Sequence, residues 1–140
     1  IYENSKFRLK PVLSWKTKIA QVKILTKGSF IGYGLTYITK KKTKIAVIPQ
    51  GYADGFNRGL SNRGEVLIRG RRCKVIGRVS MNMFTVDVSH LTSVKAEDEV
   101  AIIGRQGKEE ITAEEIARKL HTINYEITTR ISSLLPRVIV

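Results

Sequence analysis

The chain has 140 residues, room for one domain with a sizeable core, and its 42% hydrophobic and 26% charged residues exclude a disordered polypeptide. Its single cysteine, Cys73, excludes an internal disulfide, so packing must supply the stability. No apolar run approaches the ~20 residues of a bilayer-spanning helix, and no signal-peptide pattern is present. The net charge of +13 admits a nucleic-acid partner, or an acidic domain elsewhere that balances it.

Residues 1–10 read as an extended lead-in ending at Lys10-Pro11, and a start at Ile1 rather than Met suggests a piece of a longer protein. From Val12 to Leu25, apolar and β-branched residues alternate with Lys, Thr and Gln, which predicts one long strand with Lys16, Lys18 and Lys23 on its solvated face. Lys27-Gly28-Ser29 marks a turn. Tyr33 sits between Gly32 and Gly34, on backbone free to bend sharply and present the ring. Lys40, Lys41, Lys42 and Lys44 gather at a predicted loop tip. Thr43 to Ile48 is a strand stopped by Pro49, which lacks the N–H a ladder needs.

A second glycine-framed tyrosine, Tyr52, opens the stretch from Gly51 to Gly64, which reads as an exposed loop. Further strands are expected over Glu65–Ile68, Cys73–Ile76, Phe84–Val88 and Glu99–Ile103, the last closed by Gly104. Thr112 and Glu115 form a capping box ahead of a helix with Ile116, Ala117 and Leu120 on its apolar face. Asn124 is the expected cap of a second short helix that ends before Pro136. The predicted fold is mainly β, a partly open barrel or sandwich with one or two short helices near the C-terminus.

Residue chemistry alone yields little. There is no Cys/His metal spacing and no phosphate-binding glycine loop, and the histidines His90 and His121 are isolated. Asp54 and Asp87 are too far apart in sequence to pair without folding. Arg71 and Arg72 would activate the Cys73 thiol if it were exposed, but a strand position favours small filler. Met81 and Met83 read as adaptable core residues. The glycine-framed tyrosines allow two roles, packing in a turn or acid/base work. A free phenol ionises near pH ~10, so a tyrosine base at neutral pH calls for nearby positive charge.

Six blocks in order then carry a resemblance. Lys10-Pro11-Val12-Leu13-Ser14, Gly32-Tyr33-Gly34-Leu35-Thr36-Tyr37, Gly51-Tyr52-Ala53-Asp54-Gly55, and Val75 through Asn82 are four of them. Ile103 through Gly107 and Ile123-Asn124-Tyr125-Glu126, followed by Pro136-Arg137, complete the set. Across nearly its whole length the chain resembles the C-terminal domain of alanine racemases, pyridoxal-phosphate enzymes that interconvert L- and D-alanine for cell-wall peptidoglycan.

The resemblance implies that Tyr33 is the acid/base on the L face of the substrate, donated to the cofactor site of the partner in a homodimer. It implies that the Met81 backbone N–H holds the substrate carboxylate, and that Tyr125 bonds the cofactor phosphate of its own subunit and narrows the pocket. Tyr52, Arg58 and Arg78, with Ile123 beside them, would line the corridor that admits substrate. The Schiff-base lysine and the groups that lower the phenol's pKa would sit in an N-terminal (β/α)8 barrel outside this chain. The 140 residues alone are therefore expected to be inactive, and to bind pyridoxal 5'-phosphate weakly or not at all. A cytoplasmic location is implied, or the cytoplasmic face of the membrane for a membrane-attached parent.

Asn82 departs from the aspartate many family members carry there, a change expected to alter local hydrogen bonding and spare the Met81 backbone contact. The family includes serine racemases of glycopeptide resistance, in which a smaller polar residue at position 125 would suit the serine hydroxyl; Tyr125 leans toward alanine. The rival from another class is a basic β-barrel that binds RNA or DNA. Steep salt dependence of sub-micromolar binding would mark that rival, although no aromatic residue for base stacking lies inside the lysine run.

Overall fold

The computed structural model describes residues 10–140, so the lead-in expected over residues 1–10 falls outside the described residues except for Lys10. Two antiparallel sheets and a small hairpin build the domain. The first sheet runs β1 (Trp15–Lys18), β9 (Glu99–Gln106), β6 (Glu65–Ile68), β7 (Arg71–Lys74), with β10 (Glu109–Ile111) also on β9. The second runs β2 (Gln21–Leu25), β5 (Thr43–Ile48), β8 (Phe84–Asp87), and β3 (Phe30–Ile31) pairs with β4 (Tyr37–Ile38). Among the described residues a single bridge, Val75 to Val86, links the sheets beyond β7, and they do not close into a continuous barrel. The fold is mainly β, with helices α1 (Ala113–Leu120) and α2 (Asn124–Thr129) near the C-terminus.

The single strand expected from Val12 to Leu25 is two strands in different sheets. The N–H of fully buried Ile19 donates to the Asp98 carbonyl at 3.0 Å and its own carbonyl accepts from Glu97 N at 2.9 Å, whereas Ala20 N turns to Val47 O at 2.9 Å. The chain changes partners there while the alternation of side chains continues, so periodicity hides the corner.

Other expectations shift in detail. Cys73 belongs to a strand that begins at Arg71, because Arg69 (φ 52°) and Gly70 (φ 70°) make the two-residue turn that pairs β6 with β7. Gly104 does not close β9. At φ 122° it lets the strand pass Ser14, whose Cβ would lie 2.9 Å from any Cβ at 104, and β9 continues to Gln106 before pairing with β10.

The loop from Gly51 to Gly64 is not simply exposed. Its Phe56 is 2% accessible and stacks on Phe84 at a ring separation of 4.0 Å, with Trp15 edge-on at 6.5 Å. Leu60 from the same loop is buried beside them in the main core, so the segment that carries Tyr52 and Arg58 is pinned from below. The β3–β4 hairpin is anchored likewise: Ile31 packs with Ile45 and Ile76, supported by Leu25 and Tyr37.

Thr112 caps α1, its hydroxyl accepting from Glu115 N at 3.1 Å. Glu115 turns its carboxylate to Arg72 instead of back to the cap, at 2.7 and 3.0 Å. Arg72 also donates to Glu109 at 2.9 Å, to the Glu110 carbonyl at 2.6 Å and to Glu65 at 3.3 Å, which ties α1, β10 and the β6–β7 hairpin together. Asn124 is not the cap of α2. Ile123 occupies that position without a side-chain bond, and Asn124 donates to Glu114 at 2.8 Å.

Candidate functional site

Between β3 and β4 the chain makes a one-turn 3-10 helix, Tyr33–Leu35, with Gly32 at φ 76° and Gly34 at φ 69°. Both glycines are required by what lies beneath. A Cβ at 32 would stand 2.6 Å from the Arg78 backbone nitrogen, and one at 34 would stand 3.0 Å from the Arg78 guanidinium. The turn therefore rests on Arg78, and the Tyr33 side chain projects outward, 73% exposed.

The Tyr52 turn docks on the same segment from the other side. Tyr52 N donates to Ser80 O at 3.1 Å and Ala53 N to Met81 O at 3.0 Å. Asp54 accepts from Gly51 N at 2.8 Å and closes that turn, so its carboxylate is occupied structurally. Asp87 is engaged likewise by Ser89 N at 2.8 Å, and the two do not form a catalytic carboxylate pair.

Two residues that composition assigned only to loop stitch the site together. Asn62 accepts from Gly77 N at 2.6 Å and donates to the Thr36 hydroxyl at 3.3 Å, which links the Tyr33 turn to the 77–81 segment. Ser61 accepts from Val79 N at 3.0 Å and donates to Arg58 O at 2.5 Å. Nothing in the local sequence marks either residue beyond its turn propensity; their partners lie up to 26 positions away.

These contacts gather Tyr33, Tyr52, Arg58, Arg78 and Met81, with Val79, Ser80, Asn82 and Met83, around one open depression of about 370 Å³. Five of the six sequence-predicted site residues thus share a surface. Tyr125, on the first turn of α2, is 58% exposed and does not line that depression, nor does Ile123 at 62%. Met81 and Met83 are about half exposed, at 53% and 51%, which corrects their reading as core filler. The Met81 carbonyl is taken by Ala53, while its N–H meets no acceptor among the described residues.

The lining carries two guanidiniums, two phenols and a free backbone amide, and no carboxylate among the described residues. Such a set of donors suits an anionic substrate. The guanidiniums of Arg58 and Arg78 have no acceptor among the described residues. Cys73 takes no part: burial pushes its thiol up to about 12, with Asp87 and Glu65 adding to the shift, so it stays protonated and inert.

The family model described as alanine racemase, C-terminal domain, matches residues 12–139. The chain is 44% identical over 137 residues to the alanine racemase of Leptospira interrogans, covering 98% of this chain and 35% of that protein. Among solved structures, the alanine racemase of Bacillus anthracis with bound L-Ala-P superposes with a TM-score of 0.86 at 45% identity, covering 91% of this chain and 32% of the other. That of Bartonella henselae with covalently bound pyridoxal phosphate superposes with a TM-score of 0.84 at 30% identity, covering 89% and 34%. The chain thus spans about a third of the length of the relatives it matches.

Proposed function

The chain belongs to the alanine racemase C-terminal domain family, and from that premise we propose that it supplies one wall of a racemase site for L- and D-alanine, completed by a (β/α)8 barrel of the partner in a homodimer. The observation that carries this reading is the pairing of Tyr33 with Met81. An exposed phenol on a glycine-clasped turn shares a depression with a backbone N–H that lacks an acceptor.

In this reading the Met81 N–H donates to the substrate carboxylate and fixes the amino acid against the wall. The Tyr33 oxygen then takes the Cα proton on the L face, or its hydroxyl returns one, while a base on the opposite face does the converse. Arg78 supports the Tyr33 turn from beneath, against Gly32 and Gly34. Tyr52 and Arg58 line the way in, and the donor-rich rim draws carboxylates.

The residues present fit one edge of a pyridoxal-phosphate site, because the lining offers donors to anions and no competing carboxylate. Tyr125 would hold the phosphate of its own subunit's cofactor, in keeping with its position away from the Tyr33 depression. When bound, the cofactor supplies the electron sink that makes the Cα proton acidic. The bulk of Tyr125 favours alanine over serine, and the product would feed D-alanine into peptidoglycan synthesis in the cytoplasm.

Mixed dimers test the proposal. One subunit carries Tyr33→Phe, and the other lacks the cofactor lysine of the barrel. If Tyr33 acts across the interface, one of the two sites is complete and up to about half of the wild-type rate returns, since each site is independent. Mixed dimers as dead as either parent would place Tyr33 in its own subunit's site, and a Tyr33→Phe parent that keeps wild-type activity would place it outside the chemistry.

A further inference from the structure

A second depression, of about 350 Å³, lies beside the first and is lined by Tyr52, Gly55, Asn57, Arg58 and Arg130. Tyr52 and Arg58 belong to both linings, so the two hollows are consecutive. We propose that the outer hollow is a carboxylate-binding subsite, which holds the amino acid by its α-carboxylate before Arg58 hands it to the Tyr33 depression. The inference rests on the racemase reading above, and adds to it a place and a residue, Arg130, that neither motif nor resemblance assigned.

The chemistry of the lining is one-sided. The Asn57 side-chain oxygen already accepts from Gly59 N at 2.8 Å, which leaves its amide donors for the hollow. Arg58 has no acceptor among the described residues. Arg130 holds Glu126 Oε1 at 2.7 Å through Nε and Nη2, and a guanidinium carries five donors, more than that one oxygen takes. The Tyr52 hydroxyl completes the set, and no carboxylate lines the hollow. The acid nearest in sequence, Asp54, is turned inward on Gly51 N at 2.8 Å. Four side chains that donate, of which only Arg130 is paired with an acid and that through one oxygen, match the two oxygens of a carboxylate.

The hollow is also rigidly framed. Gly55, at φ 108°, lies so close to α2 that a Cβ would stand 2.5 Å from the Arg130 carbonyl oxygen. Ser132 N donates to Asp54 O at 3.0 Å across the same seam. The loop that carries Asn57 and Arg58 and the end of α2 that carries Arg130 are thus fixed against each other, which lowers the cost of ordering donors around a ligand.

The test uses the full-length enzyme. In Arg130→Gln the KM for L-alanine should rise about threefold to tenfold with kcat changed far less, the split left when capture of substrate slows and the chemical step, reached after the amino acid has left the outer hollow, is untouched. Arg130→Lys should recover most of the difference. Ligand-observed NMR with propionate, a carboxylate that cannot turn over, should show weaker binding to Arg130→Gln by a similar factor. Unchanged KM and unchanged propionate binding in Arg130→Gln overturn the subsite. Dependence on Arg130 for inorganic phosphate but not for propionate overturns the carboxylate assignment in favour of a free-anion site. Wild-type racemisation in the same series reports on the proposed function alone, so the two failures are separable.

Discussion

Gly51 and Met81 touch through their backbones: a Cβ at position 51 would stand 2.2 Å from the Met81 carbonyl oxygen. The glycine is there for space rather than for a left-handed conformation, since its φ is −144°. Its hydrogen-bonded neighbours Tyr52 and Ala53 clamp the carbonyls of Ser80 and Met81, and that clamp sets the direction of the Met81 N–H.

Gly51→Ala should therefore damage binding as well as stability. Overpacking of this kind costs about 1–3 kcal/mol. The full-length enzyme should show a lower Tm and a raised KM for alanine, because the displaced Met81 amide meets the carboxylate less well. An unaltered KM at reduced stability would detach the clamp from substrate binding.

Asn62 makes a separable prediction. Its oxygen serves the buried Gly77 N–H and its amide serves Thr36. Asn62→Asp keeps the acceptor and removes the donor; Asn62→Ala removes both and leaves Gly77 N unsatisfied, at a cost of about 1–3 kcal/mol. Thermal melts should rank wild type above Asn62→Asp and Asn62→Asp above Asn62→Ala, and kcat should fall in both as the Tyr33 turn loosens.

Acid should act through α1. The Arg72 guanidinium bonded to Glu115 holds that carboxyl below the usual carboxylate range, with a contribution from Lys119, and Arg72 itself is shifted upward and stays charged. A depressed folded-state pKa gives stability that is fully present above the unfolded value of ~4.3 and is lost as pH falls through the folded one. Glu115→Gln should lower stability at neutral pH and flatten its decline below pH ~4.3, which denaturant melts across pH would reveal. Parallel pH profiles for variant and wild type would remove Glu115 from the account.

Cys73 should resist thiol reagents in the native protein, since its thiol is buried and its pKa is pushed up to about 12. Labelling at neutral pH should appear only with denaturant. Rapid native labelling without loss of structure would contradict the burial.

The isolated 140-residue chain, given pyridoxal phosphate and L-alanine, should show no turnover. A phenol on one face has no partner base on the other. Measurable racemisation by this chain alone would overturn the division of labour proposed here.

The tyrosine turns were legible in the sequence because their reason is local: glycines flank each ring, and the structure shows what those glycines make room for at Arg78 and Met81. The strand Thr43–Ile48 was equally plain, since Pro49 ends it. What escaped depends on partners distant in the chain. The corner at Ile19 breaks no alternation, so only its bonds to residues 97 and 98 reveal it. Phe56 sits in a glycine-rich stretch and looks like loop until Phe84 is folded beneath it. Asn62, Ser61 and Arg130 carry no pattern of their own, and their places in the site arise from contacts that folding alone creates.

The most direct measurement is the fate of the Cα proton in full-length Tyr33→Phe, assayed in deuterated water from each alanine enantiomer. The account predicts that racemisation falls by about 10²–10⁴, the contribution of a positioned acid/base group. It further predicts that exchange of the Cα proton is lost from L-alanine and retained from D-alanine, with the fold intact by circular dichroism. Exchange from L-alanine at the wild-type rate would contradict a catalytic role for the Tyr33 hydroxyl.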